Sequence, residues 1–217
     1  MIKVIIVDDH ALFRAGLRLI LSEQDQIEVV GEAASGEEAL RLAKQLQPDI
    51  CLMDLQMPGG MGGIEATRRL LRLVPNCRVI ALTMLGDDPF PAQLHEAGAM
   101  GYLTKGCPAE ELVKALRLVA SGRPYVDSSV AQARMLAQWG GETGSPFKEL
   151  SARELQVAVM ILDGQRTQDI SASLSLSPKT VSTYRARIYE KLGVHTDVDL
   201  ARLAFRHGLI NDGTQGA

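Results

Sequence analysis

Apolar positions along residues 1–121 switch between two spacings. Short aliphatic runs at Ile2–Val7, Glu28–Ala33, Asp49–Met53, Arg78–Thr83 and Gly101–Thr104 read as strands. Between and after them, Leu12–Leu21, Glu37–Leu46, Ile64–Leu73, Pro91–Ala97 and Pro108–Val119 repeat apolar residues every three to four positions. That is the spacing of one helix face. Five strands alternating with five helices predict an α/β domain over 1–121, built on a five-stranded parallel, doubly wound sheet. Val4-Ile5-Ile6-Val7 and Ile50-Cys51-Leu52-Met53 lack polar alternation, as expected of strands buried on both faces.

After Gly122 the pattern changes. Residues 122–146 read as a linker, with room for a short helix over 126–139 and a flexible stretch from Gly140 to Pro146. Residues 147–210 read as a small all-α domain of four helices, near 152–163, 167–174, 178–192 and 197–207, and 211–217 as a disordered tail. Ser151 and Glu154 have capping-box spacing, and Leu150 and Leu155 are placed for the hydrophobic staple. Gly164 ends that helix, and Ser177-Pro178 opens the third as N-cap and first helical residue.

Composition narrows the class. Hydrophobic residues are 46% and charged residues 23%, ordinary for a globular protein and too apolar for disorder. No apolar run approaches the ~18 residues of a membrane helix, and no signal-peptide core is present. Cys51, Cys77 and Cys107 are odd in number and lie in or beside apolar segments, which argues against a disulfide framework and for a cytoplasmic location. Residues 147–217 carry 9 Lys+Arg and 8 Asp+Glu, against 14 and 18 for residues 1–146. The acidic part comes first.

Ligands of open α/β sheets bind at the carboxyl ends of the strands, where strand order reverses. Those ends carry Asp8 and Asp9, then Asp54, then Thr83, and then Lys105. In the order 2-1-3-4-5 the first and third strands are neighbours, so three carboxylates converge. Unneutralised, they repel; a hard divalent cation with oxygen ligands, Mg²⁺ above all, removes the repulsion. A carboxylate nucleophile, a cation, a hydroxyl and an ammonium together suit a phosphoryl group. One acidic residue at a strand end is commonly a turn or cap residue; the set across four strand ends carries the reading. His10, His95, His195 and His207 show no metal-ligand spacing and read as solvated or capping residues.

Val7-Asp8-Asp9-His10, Met53-Asp54-Leu55-Gln56-Met57-Pro58, Leu82-Thr83 and Gly101-Tyr102-Leu103-Thr104-Lys105 resemble the flavodoxin-like receiver domain of two-component response regulators. The resemblance implies that Asp54 accepts a phosphoryl group from a sensor histidine kinase. It further implies that Asp8, Asp9, Asp54 and the Gln56 backbone carbonyl hold Mg²⁺, and that Lys105 neutralises phosphoryl charge. Thr83 and Tyr102 would form a switch pair, the hydroxyl turning toward the phosphoryl group and the ring moving into the space it leaves. Two departures stand out. Pro58-Gly59-Gly60-Met61-Gly62-Gly63 is one glycine longer than the usual loop, and is no P-loop because no Lys-Ser/Thr follows. Lys105-Gly106 replaces the frequent Lys-Pro, which often carries a cis bond. The rival enzyme reading, an aspartate-nucleophile phosphohydrolase, needs Asp-x-Asp after the first strand; this chain has Asp8-Asp9-His10-Ala11.

On the third C-terminal helix, Val181, Tyr184, Ile188 and Leu192 share one sector, the buried face. Lys179, Ser182, Thr183, Ala186 and Glu190 lie opposite, with Arg187 at one edge and Arg185 on the other flank. A solvated stripe is the plain alternative, but Ser182, Thr183 and Ala186 are short where such a stripe carries Lys or Glu. Short side chains let a helix approach base edges. Lys179, Arg185, Arg187 and Lys191 against Glu190 give residues 177–191 a net charge of +3, enough for a few phosphate contacts.

Leu150-Ser151 with Arg153-Glu154, Leu176-Ser177-Pro178-Lys179-Thr180-Val181-Ser182 and Lys191-Leu192-Gly193-Val194 resemble the LuxR-type helix-turn-helix domain. Tyr184 replaces a histidine common there. The two domains together resemble response regulators of the NarL/FixJ family. Asp88-Pro89-Phe90-Pro91, Ser145-Pro146-Phe147 and Leu176-Ser177-Pro178-Lys179-Thr180-Val181 resemble its GacA/UvrY subgroup more closely, which implies a hybrid sensor kinase as partner and small regulatory RNAs as targets. The implied protein is a transcription regulator, not an enzyme. It binds double-stranded DNA through Lys179, Thr180, Ser182, Thr183, Arg185, Ala186 and Arg187. It pairs as a homodimer, on phosphorylation or on DNA, through Val198, Ala201 and Phe205. A phosphorylation-independent regulator is the alternative within the family.

Overall fold

The computed structural model describes residues 1–57, 60–83, 90–127, 145–174 and 176–207. The N-terminal part runs β1 (Ile2–Val7), α1 (Ala11–Ser22), β2 (Ile27–Ala33), α2 (Gly36–Leu46), β3 (Ile50–Asp54), α3 (Gly63–Leu73), β4 (Arg78–Thr83), α4 (Phe90–Ala97), β5 (Gly101–Thr104), α5 (Ala109–Ala120) and β6 (Tyr125–Val126). The sheet has the order β2-β1-β3-β4-β5-β6, with all pairings parallel. Alternate side chains of β1 feed opposite faces, as the pleat requires. Val4 and Ile6 pack with Leu17 and Leu21 of α1 and Leu112, Leu116 and Val119 of α5. Ile5 and Val7 pack with Ala39 and Ala43 of α2 and Ala66 and Leu70 of α3.

Five strands are expected from the sequence and the sheet has six. Tyr125–Val126 is too short and too close to Pro124 to show a period, so only its pairing with Gly101 and Tyr102 makes it a strand. Asp127 then ties it down, accepting a hydrogen bond from the Thr104 hydroxyl at 2.8 Å. The expected linker helix over 126–139 therefore begins inside a strand; most of it, with Gly140–Gly144, lies outside the described residues, as does the tail at 211–217.

A 3₁₀ turn at Pro146–Glu149 leads into α6 (Ala152–Leu162), α7 (Thr167–Ser173), α8 (Pro178–Leu192) and α9 (Asp197–Arg206). The local signals act as read. Ser151 and Glu154 form the capping box, and Leu150 and Leu155 are both buried. The Ser177 hydroxyl accepts from the Thr180 amide, and Gly164 and Gly193 stop their helices at φ +75° and +63°. Glu154 does more than cap. Its carboxylate also takes the Lys191 ammonium at 2.6 Å, joining α6 to the end of α8. Burial pushes the Glu154 carboxyl up, but the Lys191 and Ser151 hydrogen bonds outweigh it and hold the group below its ordinary value.

The two parts touch. Arg153 on α6 donates to the Gly60 carbonyl at 2.6 Å, and also to Gln156 and to the Leu174 carbonyl. Gly60, in the lengthened loop, sits at φ +130°, a conformation open to glycine and strained for other residues.

Candidate functional site

The register puts Val7 opposite Met53, so the chain leaves β1 and β3 side by side. Asp8 and Asp54 emerge there with side chains almost wholly excluded from solvent. Lys105, just past β5, reaches across and places Nζ 2.8 Å from Asp8 Oδ2 and 2.9 Å from Asp54 Oδ2. Its amide donates to the Thr83 carbonyl, which fixes the loop that carries it. The other Asp54 oxygen accepts from the Gln56 amide at 3.1 Å. Gly63 permits this end of β3 to pack under α3: a Cβ there would overlap the Asp54 carbonyl oxygen.

Three carboxylates face one ammonium. Burial raises the Asp54 carboxyl above its ordinary value, the Lys105 hydrogen bond and charge pull it back, and Asp8 pushes it up again; the net is a rise. For Lys105, burial disfavours the charged form, yet its two carboxylate partners win and the ammonium is held above its usual range. Ligand atoms of Asp8, Asp9, Asp54 and His10 all fall within 4.8 Å of one another. Thr83 and Tyr102 are buried on the adjoining strands, the Tyr102 ring already inside at 4% exposure. Among the described residues no peptide bond is cis, Lys105–Gly106 included.

The second surface is α8. Val181, Ile188 and Leu192 are buried, whereas Lys179, Ser182, Thr183, Ala186 and Arg187 are exposed. The Ser182 and Thr183 hydroxyls donate back to the Pro178 and Lys179 carbonyls, which holds both side chains close to the helix. Thr180 lies partly covered at the helix start, its hydroxyl against that of Ser177. The local charge is smaller than the sequence count. Lys191 is engaged by Glu154, and Arg185 pairs with Asp197 at 3.0 Å. Both partners come from other helices, so spacing along α8 carries no sign of them. On α9, Val198 and Phe205 are 60% and 54% exposed while Leu200 and Ala204 are buried. Phe205 therefore does not cap the small core.

Family models agree with this geometry. Residues 4–117 match the response regulator receiver domain, and residues 148–204 match the bacterial regulatory proteins of the luxR family. The chain belongs to the two-component response regulators that join a receiver to a LuxR-type DNA-binding domain; it is a transcription regulator and not an enzyme. Among individual proteins it is 50% identical over 212 residues to the response regulator GacA of Pseudomonas syringae pv. syringae (strain B728a), spanning 97% of this chain and 99% of that one. Identity to the response regulator UvrY of Escherichia coli (strain K12) is 49%, spanning 97% of each. RcsB from Salmonella enterica serovar Typhimurium, solved bound to promoter rprA in the presence of phosphomimetic BeF3−, superposes with a TM-score of 0.69 at 25% identity, covering 93% of this chain and 97% of that one. Among the described residues no helix is long and apolar enough to cross a membrane.

Proposed function

We propose that Asp54 is the phosphoacceptor of this regulator. The observation that carries the reading is a buried carboxylate at the end of β3, held between Lys105 at 2.9 Å and the Gln56 amide. An Asp54 oxygen attacks the phosphorus of a kinase phosphohistidine. The P–N bond breaks, its electron pair stays on the imidazole, and an acyl phosphate forms. Lys105 then faces the phosphoryl oxygens, while Thr83 and Tyr102 act as the switch pair on β4 and β5.

The acidic pocket fits Mg²⁺. Three carboxylates against one ammonium leave a net negative site, and the donors are hard oxygens. Asp8, Asp9, Asp54 and the Gln56 carbonyl would hold the ion. When bound, it offsets phosphoryl charge and orients the oxygens for in-line transfer.

The kinase, a hybrid sensor by similarity to GacA and UvrY, docks beside this mouth. Leu12 and Leu19, 88% and 65% exposed and two turns apart on α1, support a helical partner there. The DNA face is Lys179, Thr180, Ser182, Thr183, Ala186 and Arg187, with Arg185 released from Asp197 on binding. Val198, Ala201 and Phe205 form the homodimer contact, and the protein works in the cytoplasm. The Arg153–Gly60 contact ties the DNA-binding part to the loop after the phosphoacceptor, and phosphorylation shifts the balance between packed and separated domains.

Incubation with a small phosphodonor and Mg²⁺, followed by intact mass, tests this. Wild type should gain one phosphoryl group and Asp54→Asn none. Uptake at another residue in that variant would overturn the assignment. No uptake by a wild type that still binds DNA would favour the phosphorylation-independent regulator.

A further inference from the structure

Arg185 and Tyr189 stand one turn apart on α8 and meet the same residue of the next helix. Asp197 Oδ2 accepts from Arg185 Nη2 at 3.0 Å, and Asp197 Oδ1 accepts from the Tyr189 hydroxyl. We propose that Asp197 is a specificity-setting residue of the DNA face. Its carboxylate stands in for a DNA phosphate on Arg185 and keeps that guanidinium off DNA until α8 is fully seated in a groove. This role rests on α8 being the DNA-reading helix and deepens that reading.

Asp197 is free of capping work. It is the first residue of α9, where the helix dipole favours a carboxylate. The cap itself belongs to its neighbours: the Thr196 hydroxyl accepts from the Asp199 amide, and Asp199 Oδ2 accepts from the Thr196 amide and hydroxyl. What surrounds the Asp197 carboxylate is a guanidinium, a phenol O–H and a helix start. That set of donors suits any oxyanion. Burial first, then the bond to Asp197, push the Tyr189 phenol up to about 12, so it stays a donor.

The pair is built to be displaced. The Arg185 side chain is 30% exposed and that of Asp197 51%, and an ion pair so open to water holds weakly. Only one arm of the guanidinium is engaged: Nε is shut off from solvent and has no hydrogen-bond partner. The bidentate grip that makes such pairs strong is missing. Arg185 lies on the flank of the exposed face, one turn from Ser182, so it meets the groove wall and its phosphates rather than base edges. A loosely bound duplex leaves Arg185 on Asp197. A groove that admits α8 fully brings a phosphate close enough to replace the carboxylate. Asp197, already half exposed, then passes to water and leaves no buried orphan charge.

The test uses the full chain as wild type, Asp197→Asn, Asp197→Ser, Arg185→Ala and the Asp197→Asn, Arg185→Ala double variant. Each is titrated, at several salt concentrations, with a labelled duplex of random sequence and with a duplex selected from a random pool for tight binding to wild type. Both single Asp197 variants should bind the random duplex about two- to fivefold tighter, with a salt slope steeper by about one. The selected duplex should gain less at an unchanged slope, so the ratio between the two affinities falls. With Arg185→Ala present, the gain should vanish. An equal gain there would overturn the proposal and make Asp197 only a distant negative charge. Weaker binding by both Asp197 variants would overturn it as well, making the carboxylate a brace between α8 and α9. Lys179→Ala tells the two levels apart. If it weakens binding while the Asp197 variants match wild type, only the role of Asp197 falls; if it changes nothing on either duplex, the DNA face itself falls.

Discussion

Lys105→Met probes the pocket most directly. The ammonium is 7% exposed and its two partners, Asp8 and Asp54, are 0% and 1% exposed, at 2.8 and 2.9 Å. Methionine keeps most of the side-chain volume and its packing near Phe13, whose ring lies 5.1 Å from Nζ. What it removes is the charge, leaving buried carboxylates uncompensated. Breaking a buried pair on one side costs about 3–5 kcal/mol. At roughly 3 °C per kcal/mol for a domain of this size, melting should fall by about 10–15 °C in EDTA. The pH dependence has a definite sign. The Asp54 carboxyl stands above its ordinary value through burial first, with Lys105 pulling it down and Asp8 pushing it up. Without Lys105 it rises further. An acid raised in the folded state stabilises below its unfolded value and loses that as pH climbs through the folded one. The deficit should therefore be larger near pH 7 than near pH 5. Mg²⁺ should restore stability, by about 2.7 kcal/mol at a hundred times its dissociation constant. Thermal melts by circular dichroism, at both pH values and with or without Mg²⁺, measure all three effects. A variant melting within about 3 °C of wild type in EDTA would refute the claim that Lys105 holds these carboxylates.

Gly63→Ala should lower stability by about 3 kcal/mol or more, because its Cβ meets backbone at Asp54 and Leu55; Gly16→Ala on exposed α1 meets nothing within 4 Å and should gain about 0.5–1 kcal/mol, both read by denaturant unfolding. Lys191→Met should cost about 1–2 kcal/mol. Glu154, lowered in the fold, lends stability above its unfolded value that is lost as pH falls through the folded one, so this variant should flatten acid unfolding curves. Lys179→Ala should weaken binding to all DNA sequences and reduce the salt slope by about one, in titrations at several salt concentrations. Ala201→Glu should leave helical content intact but weaken binding to a two-half-site operator, with unchanged affinity at matched salt as the contrary result.

Most of the fold could be read from local pattern. Strand ends fell within a residue or two because period and caps act over a few neighbours, and Ser151, Gly164 and Ser177 behave as their types dictate. That Asp8, Asp54 and Lys105 meet was legible too, since strand order converts sequence position into a place at the carboxyl ends of neighbouring strands. Other features needed partners from far along the chain. Tyr125–Val126 is a strand only because β5 offers an edge to pair with. The reach of Arg153 to Gly60 crosses 93 positions, and that of Lys191 to Glu154 crosses 37. Asp54 comes near Asp8, Asp9 and His10 only through the β1–β3 pairing. Periodicity and capping are short-range energies written in adjacent residues; charge pairing across helices is a long-range one, and only the packed chain decides which charges meet.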